Sequence, residues 1–259
     1  MTDTLDRRQR VRQATIEEIK ATARQQIAGS GAAALSLGAI ARAMGMTPPA
    51  LYRYFRNRHA LVIALIVDAY DAQAGALEGY GEGLRPDDFE GQFLTLMRAY
   101  RQWALEHPED YALMHGVPFT SPDLDDEQIQ QIQQSTMRNL RVIVQLFRTA
   151  HNADRLIIPQ QYQEPLPAAR QALEGVRLAL QDESLPLGII ALSFLTWLQA
   201  HGLVWQELHG HLPKFLFGAG DLYEMELRVM AEHLGLAAAA ERGRLDGAVR
   251  TGGGAHDRR

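Results

Sequence analysis

The stretch LSLGAIARAMGMTPPALYRYFRNRHALVIAL, residues Leu35–Leu65, decides the fold. Its own punctuation divides it into short helices. Ser36 stands as an N-cap before Leu37–Met44, Leu35 and Ile40 are spaced as a hydrophobic staple, and Gly45 ends the run. Thr47 is placed to cap the next helix. That helix opens on Pro48-Pro49, where missing amides cost little, and Met46 is set to staple against Leu51. Asn57 caps a further helix from Arg58, with Leu61 and Leu65 inward. A helix, a tight glycine turn and a second short helix form the helix-turn-helix plan, in which the second helix enters the major groove of DNA. With Leu51 and Phe55 inward, Pro48, Pro49, Tyr52 and Arg53 turn toward solvent, where a phenol and a guanidinium can reach phosphate oxygens and base edges. The alternative is a short surface helix whose Tyr52 and Tyr54 close the edge of a bundle.

Toward the N-terminus, Thr15 with Glu18 has capping-box spacing, which predicts a helix from Ile16 to about Ala28 that stops at Gly29–Gly31. Residues 1–14, with Arg7, Arg8, Arg10 and Arg12, are then expected to be a flexible basic arm that adds affinity through phosphates or a minor groove. Charge separates the two parts of the chain. Residues 1–60 hold ten Lys and Arg against four acids, a net of +6, which leaves −11 for the rest of a chain whose total is −5. A phosphate-facing module on an acidic body fits that division; a solvated basic face is the alternative.

Toward the C-terminus, apolar positions recur at helical spacing, as in Ile129, Ile132, Leu140, Ile143 and Phe147, and no run alternates with period two. The chain therefore reads as all-α, with about nine or ten helices and breaks at Gly79–Pro86, Pro118–Pro122, Pro159–Pro167 and Gly210–Gly220. The expected organisation is a basic arm (1–14), a DNA-binding domain (15–60), a helical body (61–236) and a disordered tail (237–259). Among 259 residues 46% are hydrophobic, enough for a sizeable core, and none is cysteine, which excludes disulfides, thiolate metal sites and thiol nucleophiles. The polar start MTDTLDRRQRVR is unlike a secretory signal, so a cytoplasmic protein is expected.

Leu185–Trp205 is long and apolar enough to raise a membrane span. Its flanks argue against one: no Lys or Arg lies between Arg177 and Lys214, and Ser193, Thr196, Gln199 and His201 interrupt the run. Burial against a second subunit is the preferred reading. Ile190, Phe194, Leu198, Gly202 and Trp205, with Leu222, Met225 and Val229 on the following helix, are the candidate dimer face.

The Leu35–Leu65 block resembles the DNA-binding domain of TetR-family transcriptional regulators through the Ile40-Ala41 pair, Gly45, the LYRYF block and the Asn57 cap. The resemblance implies a homodimer with a three-helix head on an all-α ligand-binding body, and usually repression relieved by a small molecule. It places Thr47 at the start of the recognition helix. It also places Tyr52 and Tyr54 against the DNA backbone, and Arg58 where a phosphate-contacting Lys is frequent. Pro48-Pro49 departs from the usual small polar residues. HPEDYALMHG (His107–Gly116) and Trp197–Gly202 are similar to the WHG-type ligand domain. Met97, Tyr100, Trp103, Met114, Met137, Phe147, Trp197 and His201 are candidates to line a largely apolar pocket, with plain core as the other reading.

His201, His209 and His211 raise an all-α enzyme or metal protein as the alternative. His211 follows Gly210, however, and no carboxylate stands in an HExxH frame. Asp125, Asp126 and Glu127 suit a helix N-terminus. No GxSxG, Walker A or GxGxxG pattern occurs, so neither catalysis, nor a metal, nor a cofactor is expected. The reading is a ligand-responsive repressor that binds a palindromic double-stranded operator as a homodimer and is released by an unidentified small molecule.

Overall fold

The computed structural model describes residues 2–116, 124–210 and 220–237. Within them the regular structure is eleven α-helices and one 3-10 turn, slightly more helices than the sequence suggests. The expected breaks at Pro118–Pro122 and Gly210–Gly220 and the expected tail lie largely outside the described residues. The chain divides into two compact units, residues 1–72 with 106–136, and residues 73–105 with 137–259. The expected boundary at residue 60 falls inside a helix.

The first unit holds α1 (Thr2–Ser30), the 3-10 turn Ala32–Ala34, α2 (Leu37–Ala43) and α3 (Pro48–Tyr52). It also holds most of α4 (Arg58–Glu78), α6 (Pro108–Gly116) and the start of α7 (Asp126–Asn152). Ile19, Ile40, Leu51, Leu61 and Leu65 have no exposed surface, and each such side chain contributes about 1.5–3 kcal/mol on burial. The turn after α2 forms as expected. The Met46 amide donates to the Ala41 carbonyl and the Gly45 amide to that of Arg42, with Gly45 at φ 65°, where a Cβ would be strained.

At its N-terminus α1 differs from the sequence reading. Residues 2–14, expected to be a flexible arm, continue the helix, and Thr15 is no cap: its hydroxyl donates back to the Val11 carbonyl at 3.0 Å. A threonine inside a helix can make that bond, so the Thr15/Glu18 spacing was ambiguous, and neither Gly nor Pro interrupts residues 2–14. Charges then tie α1 to α4 and α6. Lys20 Nζ donates to Asp68 at 2.9 Å, and Arg24 reaches Asp68 at 3.2 Å and Asp110 at 3.4 Å.

The second unit contains α5 (Phe89–Glu106) and the remainder of α7, followed by α8 (Gln160–Gln163), α9 (Pro167–Leu180), α10 (Leu187–Leu208) and α11 (Gly220–His233). Phe93 and Phe147 stack at 6.2 Å in its core, and the Tyr223 hydroxyl donates to the Met97 carbonyl at 2.9 Å. Arg98 forks onto Glu224 and Arg101 onto Glu207. At Gly188 a Cβ would lie 2.9 Å from the Ile158 side chain, so only glycine permits this approach of α10 to the segment before α8. α4 and α10 are each long and apolar enough to cross a membrane by length and composition. α10 buries Ile189, Ile190, Ala200 and Val204 completely within the chain.

Candidate nucleic-acid interface

The recognition helix is positioned from below. Leu51 and Phe55 are buried, as expected, and Tyr52 is 52% exposed, with Thr47, Pro48, Pro49 and Arg53 also exposed. Thr47 precedes α3 but its side chain accepts no capping bond; its carbonyl takes the Ala50 and Leu51 amides. Ser36 and Asn57 do cap. The Ser36 hydroxyl accepts the Ala39 amide at 3.4 Å, and Asn57 Oδ1 accepts that of Ala60 at 2.8 Å.

Three residues of the head have partners that the sequence did not disclose. Tyr54 is half-buried beneath the Arg12 guanidinium, 5.4 Å from the ring centre. Arg56 pairs with Asp125, whose carboxylate also caps α7 by accepting the Gln128 amide at 2.9 Å. That capping bond first, and Arg56 second, hold Asp125 below the usual carboxylate range. Arg58 turns inward. Its Nη2 donates to the Ala32 carbonyl at 2.6 Å and its Nε to that of Leu35 at 3.1 Å, so the guanidinium satisfies the 3-10 turn. A basic residue after an N-cap carries no local signal of this, because the two carbonyls lie 23 and 26 residues earlier.

In the body, Met97, Tyr100, Trp103 and Phe147 are at most 5% exposed, and Met114, which belongs to the first unit, is equally buried. Burial of this degree is shared by core side chains and by the walls of an enclosed pocket. Met137, Trp197 and His201 are half-buried. Trp197 stacks on His201 at 5.4 Å, His201 faces Trp205 at 5.8 Å, and Tyr100 Oη approaches His201 Nδ1 at 3.3 Å. Burial, and then the charge of His209, lower the His201 pKa. The sequence reading did not single out Gln73, which is buried with its Nε2 unpartnered among the described residues. Ser193 Oγ, noted only as a polar interruption of an apolar run, is in the same state.

The candidate dimer residues divide. Ile190 is completely buried and belongs to the core: it shares a face with Phe194 by helical spacing, but the first turns of α10, Gly188–Ser193, are buried on every side. Phe194, Leu198, Leu222, Met225 and Val229 are 40–62% exposed, and Leu195, not anticipated, is 42% exposed. Gly202 is open, with nothing within 4 Å of a notional Cβ, and Trp205 is half-buried. No group of three or more His, Asp or Glu able to hold a metal occurs among the described residues.

A helix anchored through Ile40 and Ala41, a tight glycine turn and a short Tyr/Arg-bearing helix anchored through Leu51 define a helix-turn-helix DNA-binding protein. Residues 19–65 match the bacterial regulatory proteins of the tetR family, and residues 93–230 match the tetracyclin repressor-like C-terminal domain. The chain belongs to the tetR family and is a transcriptional regulator rather than an enzyme. It is 32% identical to the protein SCO4313, whose crystal structure it covers to 97%, using 86% of its own length, with a TM-score of 0.65. A protein of unknown function from Rhodococcus sp. RHA1 shares the fold at TM-score 0.63 and 20% identity, over 85% of this chain and 95% of that one. HTH-type transcriptional regulators Rv1816 of Mycobacterium tuberculosis and Mb1846 of Mycobacterium bovis are 39% identical over 95 residues. Those matches span 37% of this chain and 41% of each relative.

Proposed function

We propose that the chain is a cytoplasmic, ligand-responsive repressor that binds a palindromic operator as a homodimer. The outward Tyr52 and Arg53 on a helix anchored by Leu51 and Phe55 carry this reading: the pair has no packing role there and suits phosphate and base-edge contact. Two recognition helices must reach half-sites about 34–36 Å apart, or a multiple, on one face of the duplex, which requires a fixed pair of protomers. The exposed apolar stripe of α10 and α11 suits that pairing, since a two-fold interface buries the same patch on each subunit.

Release by a small, largely apolar molecule is supported by the match of residues 93–230 to the tetracyclin repressor-like C-terminal domain. By linkage, an effector that binds the DNA-incompetent arrangement more tightly lowers operator affinity by no more than its own differential affinity for the two arrangements.

Fluorescence anisotropy of the full chain on the DNA directly upstream of its own gene, against a scrambled duplex of equal length, tests the reading. Tighter binding to the upstream DNA, weakened by Tyr52→Ala with the fold intact, is expected. Equal affinity for both duplexes would refute the operator assignment.

A further inference from the structure

The helical course of residues 2–14 creates a feature that a flexible arm would not. Between α1 and the recognition helix lies an open groove of about 780 Å³. One wall is Arg7, Arg8 and Arg12 of α1; Arg53 and Tyr54 stand opposite, over a floor that includes Val11 and Met46. Residues 7, 8, 11 and 12 share one face of a helix, and Arg8 and Arg12 are separated by about 6 Å of rise. No carboxylate pairs with Arg7, Arg8, Arg12 or Arg53 among the described residues, although the same unit pairs Lys20, Arg24 and Arg56. The match to the tetR-family DNA-binding domain covers residues 19–65, so this wall lies outside the matched residues.

We infer that the groove extends the DNA-binding face, the rigid N-terminal turns of α1 holding the phosphates of one DNA strand through Arg7, Arg8 and Arg12 beside the recognition helix that carries Arg53. Four guanidiniums on one concavity, with no acid among its described lining residues, form a polyanion site, and planar guanidinium groups match phosphate oxygens in pairs. The Arg12 guanidinium over the Tyr54 ring fixes the two walls against each other. A preformed groove loses less entropy on binding than an arm that must order. This inference rests on the DNA-binding reading and adds to it a sequence-independent contact whose geometry depends on the helix.

The test uses the full chain and a labelled mixed-sequence duplex of about 30 bp, titrated between about 50 and 200 mM salt. Replacing Arg7, Arg8 and Arg12 together by Ala is expected to flatten the slope of log affinity against log salt by about 2–3, since each phosphate contact contributes about 0.9. It should weaken binding at least tenfold at the lower salt. A second variant, Val11→Pro, keeps every arginine while breaking the helix before residue 11. Its binding should fall as well, with an unchanged melting transition showing that the head stays folded. An unchanged slope in the triple variant would overturn the site, and wild-type binding by Val11→Pro would overturn its preformed geometry. Wild-type protein that binds no duplex at any salt would instead overturn the DNA-binding reading itself.

Discussion

Arg58 Nη2 lies 2.6 Å from the Ala32 carbonyl oxygen, so the first residue of α4 completes the turn that ends α1. A position that the family resemblance marks for phosphate thus has a structural task. Arg58→Ala removes the guanidinium donor from the Ala32 and Leu35 carbonyls, of which Ala32 keeps the Leu35 amide at 3.3 Å, and is expected to destabilise the protein by about 1–2 kcal/mol. Arg58→Lys, which keeps the charge but not the fork, should recover only part of that loss. Urea unfolding of both variants measures it; wild-type stability in Arg58→Ala would refute the internal role.

Tyr52 presents the opposite case. At 52% exposure its removal should change stability by less than about 0.5 kcal/mol while reducing affinity for the upstream DNA several-fold. Arg53→Ala should also narrow the difference between upstream and scrambled duplexes, because a base-edge contact carries about 1–3 kcal/mol of discrimination. Anisotropy with both duplexes checks this, and an undiminished preference would remove Arg53 from base readout.

The stripe on α10 and α11 predicts a separation of effects along one helix. Leu198→Asp, at an exposed position, should give a folded monomer in analytical ultracentrifugation at micromolar concentration. Ile190→Asp, at a position with no exposure, should unfold the body instead, since an unpaired buried charge costs several kcal/mol. A Leu198→Asp dimer as tight as wild type would reject the interface.

His201 couples stability to pH. Its pKa is lowered in the folded chain by burial and then by His209, so the unfolded chain takes up the proton first as pH falls below about 6.5. Stability is therefore complete above 6.5 and declines as pH falls toward the lower folded value. Melting temperatures at pH 7.5 and pH 5.5, compared through this window, should differ more in wild type than in His201→Gln. The same difference in both would assign the pH dependence to other groups.

Asp68 receives both Lys20 and Arg24, joining α4 to α1. Asp68→Asn should destabilise the first unit by about 1–3 kcal/mol, because two cations lose their shared partner while Lys20 remains largely buried. Hydrogen exchange should show the loss in α1 and α4. Unchanged protection there would mean that packing alone holds the helices.

Much of the head was legible in the residues because its signals are local. Ser36, Gly45 and Asn57 act on amides and carbonyls within five positions of themselves, and Leu51 and Phe55 define an inward face by helical spacing alone. Local signals also account for the all-α character and for the exposed Tyr52 and Arg53. They failed where one pattern admits two geometries: Thr15 fits a cap or a helix interior, and only the continuous α1 distinguishes them. They also failed where the partner is distant in the chain. The inward turn of Arg58, the Lys20–Asp68–Arg24 cluster, the burial of Ile190 one turn before the exposed Phe194 and the groove between residues 7–12 and 53–54 all arise when helices meet. Helical periodicity names an apolar face but not which part of a nearly all-apolar helix such as α10 meets its own chain and which remains open. Packing made that choice, because each side chain can be buried only where a neighbouring helix supplies the other half of the contact.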